Sequence, residues 1–275
     1  MLGLAAMTPA AAAPFFFSTG NPDGKMAAAS RPDSAGKFEI ETADDFVLTG
    51  TTTLSSATFT GLMPLRSSVQ SVTIEIYRVF PKDSNTVRTP LVPTRVNSPS
   101  DVVFGSRDST GGTLSFTTTT LSASFTANNS VLPGGIHPSP NQTTGGNGAV
   151  TGQEVEFDIA FNTTISLVAD HYFFVPMVQL DNGDFLWLSA PKPIVAPGTS
   201  LLPDLQSWTR DAALDPDWLR IGADIVGGAP APQFNAAFSL NGEVTDIPEP
   251  ASPLLFVTAF AGLFFMRRSG RSQRA

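Results

Sequence analysis

Val155-Glu156-Phe157-Asp158-Ile159-Ala160-Phe161 alternates with a period of two. Successive side chains of an extended chain point to opposite faces. The stretch therefore predicts a strand with a dry face of Val155, Phe157, Ile159 and Phe161 and a wet face of Glu156, Asp158 and Ala160. Upstream, Val72-Thr73-Ile74-Glu75-Ile76-Tyr77 repeats the pattern, with Val72, Ile74 and Ile76 inward and Thr73 and Glu75 outward. Leu114 and Phe116 have the opposite parity to Leu121, Ala123 and Phe125, which predicts a bulge or break within Thr117 to Thr120. Tyr172-Phe173-Phe174-Val175-Pro176-Met177-Val178 is apolar on both faces, as in a central strand, although Pro176 argues for an edge or a bulge. Beyond it, Asn182-Gly183 between apolar flanks predicts a hairpin, with Trp187 opening the returning half. Phe238 to Val244 reads as the closing strand, and Leu132 to Gly152 as a long Gly/Pro/Asn loop.

Short strands and turn chemistry without sustained helical periodicity predict an all-β, two-sheet antiparallel β-sandwich, jelly-roll-like rather than a closed barrel. Composition agrees: of 275 residues only 15% are charged, 41% are hydrophobic, and Gly and Pro each occur 23 times. The absence of cysteine excludes disulfides, thiolate metal sites and cysteine nucleophiles. Four of the sixteen basic residues are Arg267, Arg268, Arg271 and Arg274, which leaves twelve against 24 acidic side chains. Such an acidic body is not a nucleic-acid binder, because phosphate neutralisation needs clustered Lys and Arg.

Little in the body points to catalysis. His137 and His171 are the two imidazoles; neither has metal-ligand spacing, and both suit ordinary surface or strand-end roles. Three acidic pairs deserve a test, since glycoside hydrolysis uses two carboxylates: Asp44 with Asp45, Asp181 with Asp184, and Asp215 with Asp217. Neighbours on a strand face opposite ways, so Asp44 and Asp45 cannot share one cleft. Asp181 and Asp184 flank the Asn-Gly turn and form a weak Ca²⁺ candidate; otherwise no metal or cofactor is expected. Trp187, Trp208 and Trp218, with Tyr77 and Tyr172, are the platforms on which a sugar ring could stack, or else they pack the core.

Both ends read as addresses. Met1 to Ala13 is apolar and small, like the later parts of a secretory signal peptide, but has no basic n-region; it is either a shortened signal peptide or a flexible Ala-rich terminus. At the other end come Pro248-Glu249-Pro250-Ala251-Ser252, an uncharged run from Pro253 to Met266, and Arg267-Arg268. The prolines keep Glu249 on an extended, accessible segment. As a helix, Leu254 to Met266 would rise about 20 Å against a hydrocarbon core of roughly 30 Å, a marginal transmembrane anchor. The arginines after it favour a cytoplasmic C-terminus.

This arrangement, over about the last thirty residues, resembles the PEP-CTERM sorting domain. The resemblance implies recognition at Pro248 to Pro250 by an exosortase-type processing enzyme, transient residence in the inner membrane, and delivery to the surface or exopolysaccharide matrix of a Gram-negative bacterium. The chain then divides into a signal peptide (1–13), a flexible segment (14–36), the sandwich (37–244), an extended linker (245–252), a transmembrane helix (253–266) and a basic cytoplasmic tail (267–275). The expected function is a non-enzymatic, exported surface or matrix protein, structural or adhesive. A lectin-like carbohydrate-binding module and a polysaccharide-active enzyme are the alternatives.

Overall fold

In the computed structural model, which describes residues 12–136, 142–199 and 202–245, Val155, Phe157, Ile159 and Phe161 all turn into one core and are buried. Their strand is one of fifteen among the described residues: β1 (Ala13–Ser18), β2 (Met26–Ala29), β3 (Ile40–Leu48), β4 (Thr52–Met63), β5 (Val69–Arg78), β6 (Gly105–Asp108), β7 (Ser115–Ala127), β8 (Asn129–Val131), β9 (Val150–Leu167), β10 (Asp170–Leu180), β11 (Leu186–Ala190), β12 (Trp208–Asp211), β13 (Leu219–Arg220), β14 (Asn235–Ala236) and β15 (Phe238–Val244). They form two sheets. The nine-stranded sheet is built around β4, which pairs with β9 on one flank and with β15 and then β11 on the other; β7 lies beyond β9, β1 beyond β15, β2 and β14 beside β11, and β8 beyond β2. The six-stranded sheet runs β13-β12-β3-β10-β5-β6. Pairing is antiparallel except between β2 and β8.

The main core lies between the sheets. Phe59 stacks on Phe157 at 4.7 Å within the nine-stranded sheet, and Phe174 stacks on Phe238 at 5.1 Å across the two sheets, which locks one against the other through aromatic contact. Val72, Ile74 and Ile76 of β5 enter the same core from the six-stranded sheet. Gly61 of β4 is required where it stands, because a Cβ there would overlap the Phe185 ring and the Leu186 carbonyl.

Four sequence expectations need correction. Residues 14–36 are not a flexible lead-in: β1 pairs along β15, β2 sits fully buried beside β11, and Phe17 packs on Phe46 and Phe238. The interruption in β7 falls after Thr120, at Leu121 to Ser124, rather than within Thr117 to Thr120. The Asn182-Gly183 turn is not a hairpin. Its flanking strands, β10 and β11, belong to different sheets, so the turn hands the chain across the sandwich. Gly183 supplies the left-handed backbone (φ +72°), and the next residue, Asp184, is held by Arg31 and Lys37. Both faces of this region are apolar, so the chain can return in the opposite sheet and bury Phe185 and Trp187 there.

The fourth concerns Pro176, which lies in a strand paired on both flanks but only where β10 has passed the end of its ladder with β3. Its carbonyl accepts a hydrogen bond from Ser30 Oγ at 2.6 Å. N–H and C=O of one strand residue point the same way, so the missing donor falls on this flank and leaves the β5 ladder intact.

Candidate functional site

The outward face of the six-stranded sheet, expected to be wet, is roofed by the connection from β5 to β6 and by residues 211–218. Beneath that roof Tyr77, Trp208, Trp218, Phe173, Val175 and Met177 form a second apolar cluster, and a buried polar network runs through it. Tyr77 Oη donates to Glu41 at 2.6 Å and is 2.8 Å from Glu75. Arg210 pairs with Glu41, reaches Tyr77 Oη at 2.9 Å, and bonds Asp215 at 2.8 Å. Its guanidinium lies 4.3 Å from the Trp218 ring centre and 5.2 Å from that of Tyr77. Burial and the nearby Glu41 push the Glu75 carboxyl up to about 7. Burial opposes the charge on Arg210, but Glu41 outweighs it and raises the guanidinium further.

The acidic pairs nominated from sequence do not converge. Asp44 points inward, accepting from the Ala236 N–H at 2.9 Å and from Ser207 Oγ at 3.1 Å; burial, then the neighbouring Asp45, hold its carboxyl well above the usual range. Asp45 points outward to His171 Nε2 at 2.6 Å. Asp217 is buried against Arg88 and Arg95, whereas Asp215 is largely exposed. Asp181 accepts from the Ser68 hydroxyl and N–H, which keep its carboxyl below the ordinary value. Asp184 is neutralised by Arg31 and Lys37. The Ca²⁺ candidate is therefore corrected: its two carboxylates face different partners. Among the described residues no group of three or more His, Asp or Glu is placed to hold a metal.

The tryptophans are corrected too. Trp187, Trp208 and Trp218 are each 1% exposed and offer no ring face to a sugar, and Tyr77 and Tyr172 are buried as well. Their polar edges differ, however. Trp187 Nε1 donates to the Ala237 carbonyl at 2.9 Å and Trp218 Nε1 to that of Ser100 at 3.3 Å. Trp208 Nε1 has no partner among the described residues. An unpaired buried donor costs roughly 1–3 kcal/mol, so this one stands out.

Trp208 lines a cavity of about 330 Å³ bounded by Thr94 and Asn97 of the roof, Gln206 before β12, Arg220 of β13, and Gln233. Gln206 Oε1 is another buried polar atom without a partner among the described residues. Lys192 and Asp204, also at this cavity, pair with each other at 2.8 Å, and Arg220 pairs with Asp224 at 2.6 Å. Periodicity and motif give no sign of this cavity, because its walls come from 94–97, 192, 204–208, 220 and 233. A larger open groove of about 510 Å³ crosses the outer face of the nine-stranded sheet, with Phe16, Thr58, Thr60, Glu154, Glu156 and Ser239 along it. Partial burial, then the like-charged neighbours Glu156 and Asp158, raise the carboxyls of Glu154 and Glu156 respectively.

The fold thus defines a mostly antiparallel two-sheet β-protein of the sandwich class. No family model, curated protein or solved structure matches the chain. Among the described residues no helix is long and apolar enough to cross a membrane. The sorting residues Pro248, Glu249, Pro250, Ala251 and Ser252, the apolar run, Arg267, Arg268 and Arg271, the N-terminal stretch up to residue 11, and His137 lie outside the described residues.

Proposed function

We propose that this chain is an exported protein, sorted through its C-terminal PEP-CTERM-like signal to the surface or extracellular matrix of a Gram-negative bacterium, where the sandwich serves a structural or adhesive task. The observation that carries this is the order of Pro248-Glu249-Pro250, the uncharged run to Met266, and Arg267-Arg268. A short apolar helix stopped by cationic residues makes a temporary tether, and the proline-flanked glutamate gives a processing enzyme of the exosortase type an extended segment to grip.

The non-enzymatic part of the proposal is supported by the fate of the three acidic pairs, each divided between separate partners. Two carboxylates need a shared space flanking one bond to hydrolyse it. The finer, jelly-roll-like reading of the fold belongs to the proposal as well. Chain crossings from β3 to β4 to β5, and from β9 through β10 and β11 to β12, alternate between the sheets as that arrangement requires. Replacing Pro248, Glu249 and Pro250 together by Ala tests the sorting. Cell fractionation should find wild type at the surface or in the medium and the variant retained in the inner membrane; equal surface delivery of both would refute the proposal.

A further inference from the structure

We infer that the free edge of β7 accepts an added strand from an extended peptide segment bearing Lys or Arg, selected by the carboxylates of β9. An open row of N–H and C=O groups templates further pairing, so sheet edges are ordinarily kept short or guarded by proline or charge. Most edges of this protein follow that rule. β6 has four residues, Arg107 and Asp108 among them; β8 has three, β13 and β14 two each, and β1 carries Pro14. β7 is the exception, since its 13 residues include no charge and no proline, and it pairs with β9 alone. The ladder is regular from Ser115 opposite Ala160 to Thr120 opposite Val155. Among the described residues no other backbone group bonds to this stretch. Thr117 to Thr120 are exposed on both faces, because the six-stranded sheet ends at β6, whose Arg107 bonds the Thr164 carbonyl of β9 at 2.6 Å. A segment added there would meet water on both faces, so it can be hydrophilic throughout.

Charge identifies the occupant. Glu154, Glu156 and Asp158 follow one another along the wet face of β9, and among the described residues none of them has a cationic partner. On that face Thr119 stands opposite Glu156 and Thr117 opposite Asp158. Strands lie about 4.8 Å apart, so an added strand would run about 10 Å from β9. The long stems of Lys or Arg at alternate positions can lean over the short threonines and bring their charges to the carboxylates. A second copy of this chain, paired β7 to β7, would instead bring another acidic row about 14 Å from the first and leave both uncompensated. Backbone pairing therefore supplies the attachment and the carboxylates the choice of partner, as in other strand additions. This inference stands apart from the sorting proposal, and either can fail alone.

The test titrates the full chain with a fluorescent heptapeptide alternating lysine and threonine, read by anisotropy, with amide hydrogen exchange mapped in parallel. Controls are the same peptide with glutamate for lysine, and a lysine peptide N-methylated at alternate amides, which keeps the charge but cannot form the ladder. The lysine peptide should bind saturably, more weakly at high salt, and slow exchange in Ser115 to Thr120. Glu156→Gln and Asp158→Asn should each weaken it roughly 1.5–5-fold, as for exposed ion pairs, and Asp181→Asn should not. Thr119→Lys, which sets a competing cation beside Glu156, should weaken it too, so the outcome does not rest on the folding of one variant. Equal binding of the glutamate or the N-methylated peptide, exchange in Ser115 to Thr120 unchanged by the lysine peptide, or self-association that protects this stretch without peptide would overturn the inference.

Discussion

Glu75 shows how a residue on the wet side of a strand can become interior. Its alternation with Ile74 and Ile76 is legible, and those neighbours are buried between the sheets. What local sequence does not reveal is that distant segments close over the other face and bring Glu41, Tyr77 and Arg210 together there. The consequence is a pH dependence of definite sign. With its carboxyl raised from 4.5 to about 7 in the folded chain, Glu75 favours folding in its protonated form. That contribution is fully present below pH 4.5, declines as pH rises towards 7, and amounts to no more than about 3 kcal/mol. Urea midpoints measured at pH 5 and pH 8 should show Glu75→Gln gaining stability over wild type at the higher pH; an equal effect at both would contradict the assignment.

Arg210 carries the opposite risk. Replacing it by Met leaves Glu41 charged and buried without its partner, for which the expected loss is about 3–5 kcal/mol. Adding Glu41→Gln should recover part of that loss, because the stranded charge has gone. A double-mutant cycle by chemical denaturation measures the coupling, and simple additivity would show that the pair is not the unit described.

At the scale of elements, strands with one polar face were the most legible. The parity of Val155 to Phe161 and of Val72 to Ile76 places their apolar members in the core as the pattern requires. Segments whose two faces are alike gave less guidance. Asn182-Gly183 marks a turn, but turn chemistry alone does not say whether the next strand returns in the same sheet or the other. Residues 14–36 lack a clean period, since Met26 to Ala29 are small and buried on both faces. Phe17 tests the role of this segment. It is 2% exposed, and it packs on Phe46 from one sheet and Phe238 from the other. Phe17→Ala should cost about 3–5 kcal/mol in a denaturant titration, whereas a flexible lead-in would give almost no change.

For the whole molecule, the all-β class was readable because it depends on many short periodic segments that agree. The cavity at Trp208 was not, because it is assembled from the roof, the approach to β12, β13 and Gln233, and no single stretch carries its pattern. The proposed destination rests on a different kind of signal, the order of Pro248-Glu249-Pro250, an uncharged run and Arg267-Arg268. On the proposed reading, the acidic sandwich is the body delivered and the terminal segment the tether left behind. The most direct test is the intact mass of the protein recovered from the cell surface, with the processing enzyme present and deleted. With the enzyme present, the mass should lack the apolar run and Arg267 to Arg274, and the deletion strain should retain them. An uncut C-terminus on the surface protein of both strains would contradict the account.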